Sequence, residues 1–281
     1  MGTKKISILI LGAILTITAL GGCVSSKTTT ATKNNTSVKK QVVKIGITGD
    51  DHNVWDKVKV TLAKENIDLQ LVNFADYIRP NMALSDGDID LNSFQHYAYL
   101  NKFKKDHKLQ LTAIGETVFA PLGIYSKTLK SIKDIKDGAK LAIPNDATNE
   151  GRGLNLLQSA GLITLKTGAG NLPTLKDITK NPKNIKFIEL VATQIPRSLE
   201  DVDVAIINSG VAIDAKFNPV KDSIFLEKAS GDKTKPYINV IVTREKDKDN
   251  VLYKKVIKAY QTDEIKAFIK EFYKGAEIPV F

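Results

Sequence analysis

The stretch from Val42 to Phe74 constrains the fold most. Val42-Val43-Lys44-Ile45-Gly46-Ile47-Thr48 is rich in β-branched and apolar residues and predicts a buried strand. Val54 to Glu65 carries apolar residues at helical spacing, and Asp68 to Phe74 returns with the alternation of a strand. Strand, helix and strand in that order make a βαβ unit, whose two strands lie parallel because the helix carries the chain back across the sheet.

The same alternation continues to the end of the chain. A short helix is expected over Pro80–Leu84, a turn at Asp86-Gly87-Asp88-Ile89-Asp90, a strand ending near Phe94 and a helix from His96 to Lys105. Leu111 to Tyr125 reads mostly as strand, broken at Pro121; Ser131 caps a short helix through Ile135, and Gly138 ends it. Lys140–Ile143, Ile185–Leu190, Val202–Ile207 and Val240–Thr243 read as strands, the last of them the final strand. Helices are expected over Asn149–Ala160, Arg197–Glu200, Val251–Tyr260 and Asp263–Tyr273. There is no internal repeat. At 281 residues the chain is long enough for two small lobes. The α/β pattern predicts a first lobe from residues 41–121 and 237–281, and a second from residues 122–236. The chain then crosses between lobes twice, which makes a hinge, and the cleft between such lobes is where small ligands bind.

The first forty residues are of another kind. Lys4 and Lys5 precede an apolar run, Ile6–Leu20, too short for a comfortable membrane span. Residues 1–22 read as a signal peptide ending at Leu20-Gly21-Gly22-Cys23. Cys23 is the only cysteine, so no internal disulfide forms, and its setting resembles a bacterial lipobox in which the thiol receives a diacylglycerol. A lipid anchor on the outer face of the cell membrane is the expectation. Residues 23–40 are Ser, Thr, Lys and Asn with few apolar residues, a flexible tether.

Net charge is +10, and about +8 once residues 1–22, with two lysines and no acid, are removed. The lysines are scattered, with no basic stripe interleaved with aromatics, and export argues against nucleic acid as partner. A solvated lysine surface near anionic lipid fits better.

Two stretches stand out as candidate binding sites. In Leu91-Asn92-Ser93-Phe94-Gln95-His96-Tyr97-Ala98-Tyr99-Leu100, three rings and an imidazole fall within six residues of a chain that is only 7% aromatic. Phe94 and His96 share a face, and Tyr99 lies about one helical turn beyond His96. That makes an apolar wall with one polar, neutral group, at a strand-to-helix join where α/β sheets place ligands. Tyr77, just past the second strand, either completes the wall or belongs to the core.

The second stretch is Asn145-Asp146-Ala147-Thr148-Asn149-Glu150-Gly151-Arg152-Gly153, which leads from a strand into a helix N-terminus, where free N–H groups favour an anion. Asn149 and Arg152 project from one side of the first turn, and the Arg152 fork matches a carboxylate in two parallel bonds. Gly151 and Gly153 flank it without side chains and let a ligand approach the backbone. The competing reading makes Thr148 or Asn149 a plain cap and Arg152 a surface charge. Asn208, in Ile206-Ile207-Asn208-Ser209-Gly210, ends a strand and can donate and accept, which suits an amino acid's ammonium and carboxylate; otherwise it is a turn former.

Enzyme motifs are missing from the sequence. His52, His96 and His107 have no metal-ligand spacing, and there is no Gly-x-Ser-x-Gly elbow, phosphate loop or dinucleotide fingerprint. No catalytic residue, metal or cofactor is expected.

These residues together resemble the NlpA/MetQ family of methionine-binding lipoproteins, which serve ABC importers. The resemblance spans nearly the whole mature body. It rests on Asp86-Gly87-Asp88-Ile89-Asp90, Phe94-Gln95-His96, Ala142-Ile143-Pro144-Asn145-Asp146, Thr148-Asn149 with Gly151-Arg152, and Ala205-Ile206-Ile207-Asn208. Asp177-Ile178 with Asn181-Pro182-Lys183, and Pro196-Arg197 with Asp201-Val202-Asp203, match as well. The resemblance implies a two-lobed, type II periplasmic-binding-protein-like fold that closes on its ligand. It implies that Tyr77, Phe94, His96 and Tyr99 line a side-chain pocket while Asn149, Arg152 and Asn208 hold the amino-acid head. It also implies a monomer that hands methionine to an ABC permease and ATPase. Ala98 stands where the family usually has proline, and Val211 where an aromatic often follows the Asn208 motif. Both lie beside proposed contacts, so a methionine-containing dipeptide or another amino acid is the alternative cargo, with an extracytoplasmic hydrolase or an adhesive lipoprotein as readings from other classes.

Overall fold

The computed structural model describes residues 40–281; the signal segment, Cys23 and all but the end of the expected tether lie outside the described residues. The opening apolar run is β1 (Gln41–Thr48). In α1 (Asn53–Ala63), Val54, Trp55, Val58 and Leu62 recur at helical spacing and are buried together. β2 (Ile67–Phe74) pairs with β1 in parallel, from Gln41 opposite Ile67 to Thr48 opposite Phe74, so the βαβ unit is present.

α2 (Arg79–Asp86) takes Pro80 in its first turn and stops at Gly87, whose φ of +90° is a left-handed conformation that glycine adopts without a Cβ clash. The turn sends β3 (Leu91–His96) alongside β1, again parallel. His96 closes β3 and caps α3 (Tyr97–His107), which leads into β4 (Leu111–Phe119).

A second sheet starts with β5 (Gly123–Tyr125). After it come β6 (Lys140–Pro144), α4 (Ala147–Ser159), the small ladder of β7 (Thr164–Leu165) and β8 (Ile178–Lys180), and β9 (Lys186–Leu190). α5 (Ile195–Ser198), β10 (Val204–Ile207), α6 (Ser209–Asp214), α7 (Pro219–Asp222) and β11 (Ser223–Leu226) complete this half. The chain then returns as β12 (Ile238–Arg244), α8 (Val251–Tyr260), α9 (Asp263–Tyr273) and β13 (Ile278–Pro279).

Strand order is β13-β4-β12-β3-β1-β2 in the first sheet and β11-β5-β10-β6-β9 in the second. The first sheet is therefore mixed, where the βαβ pattern alone pointed to a parallel one. β4 leaves for the second sheet at Phe119, and β12 comes back opposite it, Ile238 facing Phe119. A strand re-entering at the end where its neighbour departed must run against it, and β12 is antiparallel to both β4 and β3. Each sheet has its own apolar packing. One cluster joins Ile45, Val58, Leu62, Val256 and Ile269, and another joins Leu141, Ile143, Leu154, Leu157 and Ile206. The fold is a two-lobed, periplasmic-binding-protein-like α/β fold.

Several expected bounds shift for local reasons. α4 begins at Ala147 and not at Asn149, because the Asp146 carboxylate accepts the Asn149 N–H and so is the cap. α5 starts two residues earlier than expected, since Pro196, which has no N–H, fits a first helical turn whose N–H groups find no intrahelical acceptor. Val240–Thr243 is not the final strand; β13 adds a two-residue pairing on β4. α6, α7 and β11 were not anticipated.

Candidate ligand-binding site

The aromatic wall is assembled by a turn, a strand end and a helix start. Asp76 Oδ1 accepts the N–H groups of Ile78 and Arg79, each at 2.8 Å, and so turns Tyr77 towards β3. The Tyr99 hydroxyl donates to the Tyr77 carbonyl at 2.9 Å. Ring centroids are 5.8 Å apart for Tyr77 and Phe94, and 6.0 Å for Tyr99 against each of them, the Tyr99 pairs being edge-on. These are favourable aromatic geometries, and they place Tyr77 in the wall. Behind it, three buried amides lock α2 to β3. Asn81 Oδ1 accepts from Asn92 Nδ2 at 2.9 Å and Gln95 Nε2 at 2.6 Å, while Asn81 Nδ2 donates to Gln95 Oε1 at 2.8 Å.

His96 is neutral, and its tautomer is defined by its partners. Nδ1 accepts the Tyr99 N–H at 3.1 Å, so the ring proton sits on Nε2, which lies 3.3 Å from Asn149 Oδ1 and donates to it. Burial, then the nearby Arg152 guanidinium, push the imidazole pKa down to about 3.

The same reasoning orients the neighbouring amides. Asn149 Nδ2 donates to both Asp146 carboxylate oxygens, at 3.1 and 2.9 Å, so Asn149 Oδ1 must face away from them. That oxygen accepts from Asn208 Nδ2 at 2.8 Å. Asn208 Oδ1 is then left buried with no partner among the described residues. An unmatched buried acceptor costs about 1–3 kcal/mol; the Tyr125 hydroxyl is the other such group among the described residues, and of the two residues Asn208 is the one that lines the cavity described below.

Arg152, only 3% exposed, does not offer its fork to the cleft. Its Nε lies 3.1 Å from both Glu227 oxygens, Nη2 also pairs with Glu227, and Nη2 donates to the Ala120 carbonyl at 2.9 Å. The guanidinium lies over the Tyr237 ring, 4.5 Å from its centroid. The hydrogen bonds of the guanidinium to the described residues run through Nε and Nη2, and none runs through Nη1. The two-parallel-bond grip expected of Arg152 is thus taken by Glu227. Likewise the anion at the α4 N-terminus is the chain's own Asp146. The flanking glycines also serve packing. A Cβ on Gly151 would meet the Asn171 carbonyl and Leu172 Cα at 2.9 Å, and one on Gly153 would press on Ile206 and Ile143. They admit protein, not ligand.

Tyr77, Phe94, His96, Tyr99, Asn149, Arg152 and Asn208 all line one cavity of about 800 Å³, within the range of roughly 300–1,000 Å³ usual for small-ligand sites. Thr117, Asn239, Trp55, Asp214 and Glu277 line it too and were not picked out in the sequence. Glu227 and Tyr237, which position Arg152, were also missed. None of these sits in a local motif; only the return of β12 to the first sheet brings Tyr237 and Asn239 near the wall. Among the described residues, no cluster of three or more His, Cys, Asp or Glu is arranged to hold a metal ion.

Known proteins carry the same architecture. The family model described as NlpA lipoprotein matches residues 43–281. The D-methionine-binding lipoprotein MetQ of Salmonella typhimurium is 44% identical over 270 residues, 95% of each chain. A nutrient-binding protein of Burkholderia cenocepacia, solved bound to methionine, is 47% identical with a TM-score of 0.80, covering 85% of this chain and all of that one. Protein PG110 of Staphylococcus aureus is 48% identical with a TM-score of 0.83, covering 85% of this chain and 94% of that one. With the match running over almost the whole described body, this chain belongs to the NlpA lipoprotein family.

Proposed function

We propose that this chain is the substrate-binding protein of an ABC importer, taking methionine or a close relative and held at the outer face of the cell membrane by lipid on Cys23. The observation that carries the reading is the orphaned acceptor, Asn208 Oδ1, in a cavity that also offers the Arg152 Nη1 donor and a wall of three tyrosine and phenylalanine rings. An amino acid fits those groups by charge: ammonium on Asn208 Oδ1, carboxylate on Arg152 Nη1, side chain against Tyr77, Phe94 and Tyr99. The imidazole of His96, neutral by burial, adds no charge to repel either end. Thioether sulfur packs well at ring edges, which favours methionine over an aliphatic chain of equal length. Relatives that bear methionine in their names, and one solved with methionine in place, support the same cargo.

Micromolar binding needs about 8 kcal/mol, and burying a methionine-sized side chain supplies about 1.5–3 kcal/mol of it. The head-group contacts and closure of the cleft must supply much of the rest. Titration calorimetry with methionine tests the reading. Saturable binding that glutamate or lysine does not displace is expected, and preference for a charged amino acid would sink it. The cavity leaves room beside one amino acid, so a methionine-containing dipeptide is the second reading; mass spectrometry of the molecule that co-purifies separates the two. The chain is expected to release its ligand unchanged, with no turnover of peptides or esters.

A further inference from the structure

α6 begins directly after Asn208 and is pinned at both ends to the first lobe. At its start, the Ser209 hydroxyl, 1% exposed, donates to the Ala276 carbonyl at 2.7 Å. At its end, the Asp214 carboxylate crosses to the loop between β1 and α1 and accepts the Asp50 N–H at 3.0 Å. The Asp51 N–H also reaches that carboxylate. Gly49 makes the approach possible. Its φ is +79°, and a Cβ there would overlap the Asp214 side chain. Helix residues Ser209 and Asp214, and Gly49 and Asp50 across from them, all line the same cavity as the proposed head-group contacts.

These contacts tie a helix that packs on β10 of the second sheet, through Val211 and Ala212, to the first sheet's β1–α1 loop and to the segment just before β13. The Asp214 contact lies three strands from the crossing at Ala120, in the order β4-β12-β3-β1, whereas Ser209 is tied near that crossing, because Ala276 leads into β13, whose Ile278 pairs with Phe119. A contact across a cleft and away from the hinge is made when the lobes meet and broken when they part. We propose that α6 is the latch of the cleft, with Ser209 and Asp214 as positioning residues that hold Asn208 against its ligand and slow the ligand's escape. This deepens the amino-acid-binding reading, on which it rests. Ser209 and Asp214 are not placed on the ligand; they act through the position of α6. Such a latch alters the rate of opening and leaves encounter with the open cleft unchanged, so its effect falls on dissociation.

The test is stopped-flow measurement of methionine binding and release, read by Trp55, the chain's single tryptophan and a residue lining the cavity. Asp214→Ala and Ser209→Ala are expected to release methionine about tenfold faster with association unchanged, tenfold being about 1.4 kcal/mol. Asp214→Asn, which keeps one acceptor oxygen, falls between Asp214→Ala and the parent. A purely structural role would lower the melting temperature without this split in rates. Dissociation within twofold of the parent in both alanine variants overturns the latch, as does a loss carried by association alone. If the parent bound no methionine in calorimetry, the cargo reading would fail by itself. The latch would then be judged on the molecule that co-purifies with the protein: dialysis removes it faster from the Ser209→Ala/Asp214→Ala double variant than from the parent if α6 holds the closed cleft, and equal loss overturns it.

Discussion

Asn208 and Arg152 are proposed to divide the two ends of an amino acid between them, and each is limited by its neighbours. Asn208 turns its Nδ2 to Asn149 and leaves its oxygen unmatched, while Arg152 spends Nε and Nη2 on Glu227 and Ala120. Asn208→Ala should therefore raise the dissociation constant for methionine at least tenfold in calorimetry; a change under twofold would remove Asn208 from the head-group site. Arg152→Ala should weaken binding more than Phe94→Ala does. Because it also strips Glu227 of its buried partner, it should cost about 3–5 kcal/mol of stability, read as a lowered melting temperature. The candidate residues themselves were legible in the sequence, because rings, amides and a cation stood at strand-to-helix joins. How Arg152 is used was not. Its partner lies 75 residues away on the far side of β11, and no local pattern announces a pairing of that length.

At the level of single elements, legibility followed length. α8 and α9 begin and end where the sequence placed them. Each is at least ten residues of clear amphipathic spacing, opened by a side-chain cap, Asn250 for one and Thr262 for the other. α6, α7 and β11 are four to six residues long, too short for a period to show, and so they were missed. α4 illustrates how an element can be read correctly and its glycines misread. Gly151→Ala keeps helix propensity but drives a methyl against the backbone of Asn171 and Leu172. A net loss of about 1–3 kcal/mol is expected, measured by urea unfolding. An equal or higher midpoint would show that the 171–173 loop gives way. Asp146→Ala should cost about 1 kcal/mol through the lost cap and also weaken methionine binding, because Asp146 is what turns the Asn149 amide.

Across the whole molecule, the alternation of strands and helices told of a two-lobed α/β chain, but not that β12 would insert between β3 and β4. That depends on where the chain re-enters, which is a property of the assembled sheet. The assembled molecule also creates an environment that no stretch of sequence contains. The Glu277 carboxyl sits beside Asp51 and Asp214, with Tyr260 and Tyr273 alongside; the Tyr273 hydroxyl is bonded to Asp51. Burial first, then those two carboxylates, push Glu277 up to about 8. An acid raised in the folded state adds stability that is fully present below its ordinary value, 4.5, and is lost as the pH climbs through about 8. Unfolding free energy should therefore fall between pH 6.5 and 8, by up to about 1.4 kcal/mol per pH unit, read as a falling melting temperature. Glu277→Gln should flatten that decline, and an identical pH profile in the variant would show that the carboxyl does not titrate there. Below about 6.5 the neutral His96 acts in the opposite sense, because the unfolded chain then takes up a proton that the folded one refuses.

The anchoring of Arg152 carries one more consequence. Its guanidinium grips the Ala120 carbonyl and Glu227, and Glu227 in turn receives the Leu122 N–H at 2.9 Å. Ala120 to Leu122 and the segment opening at Glu227 are the two places where the backbone passes from one half to the other. On the proposed reading, a guest bonded to the spare nitrogen would pull on the pivot itself, and arrival of cargo would then be felt directly at the joint.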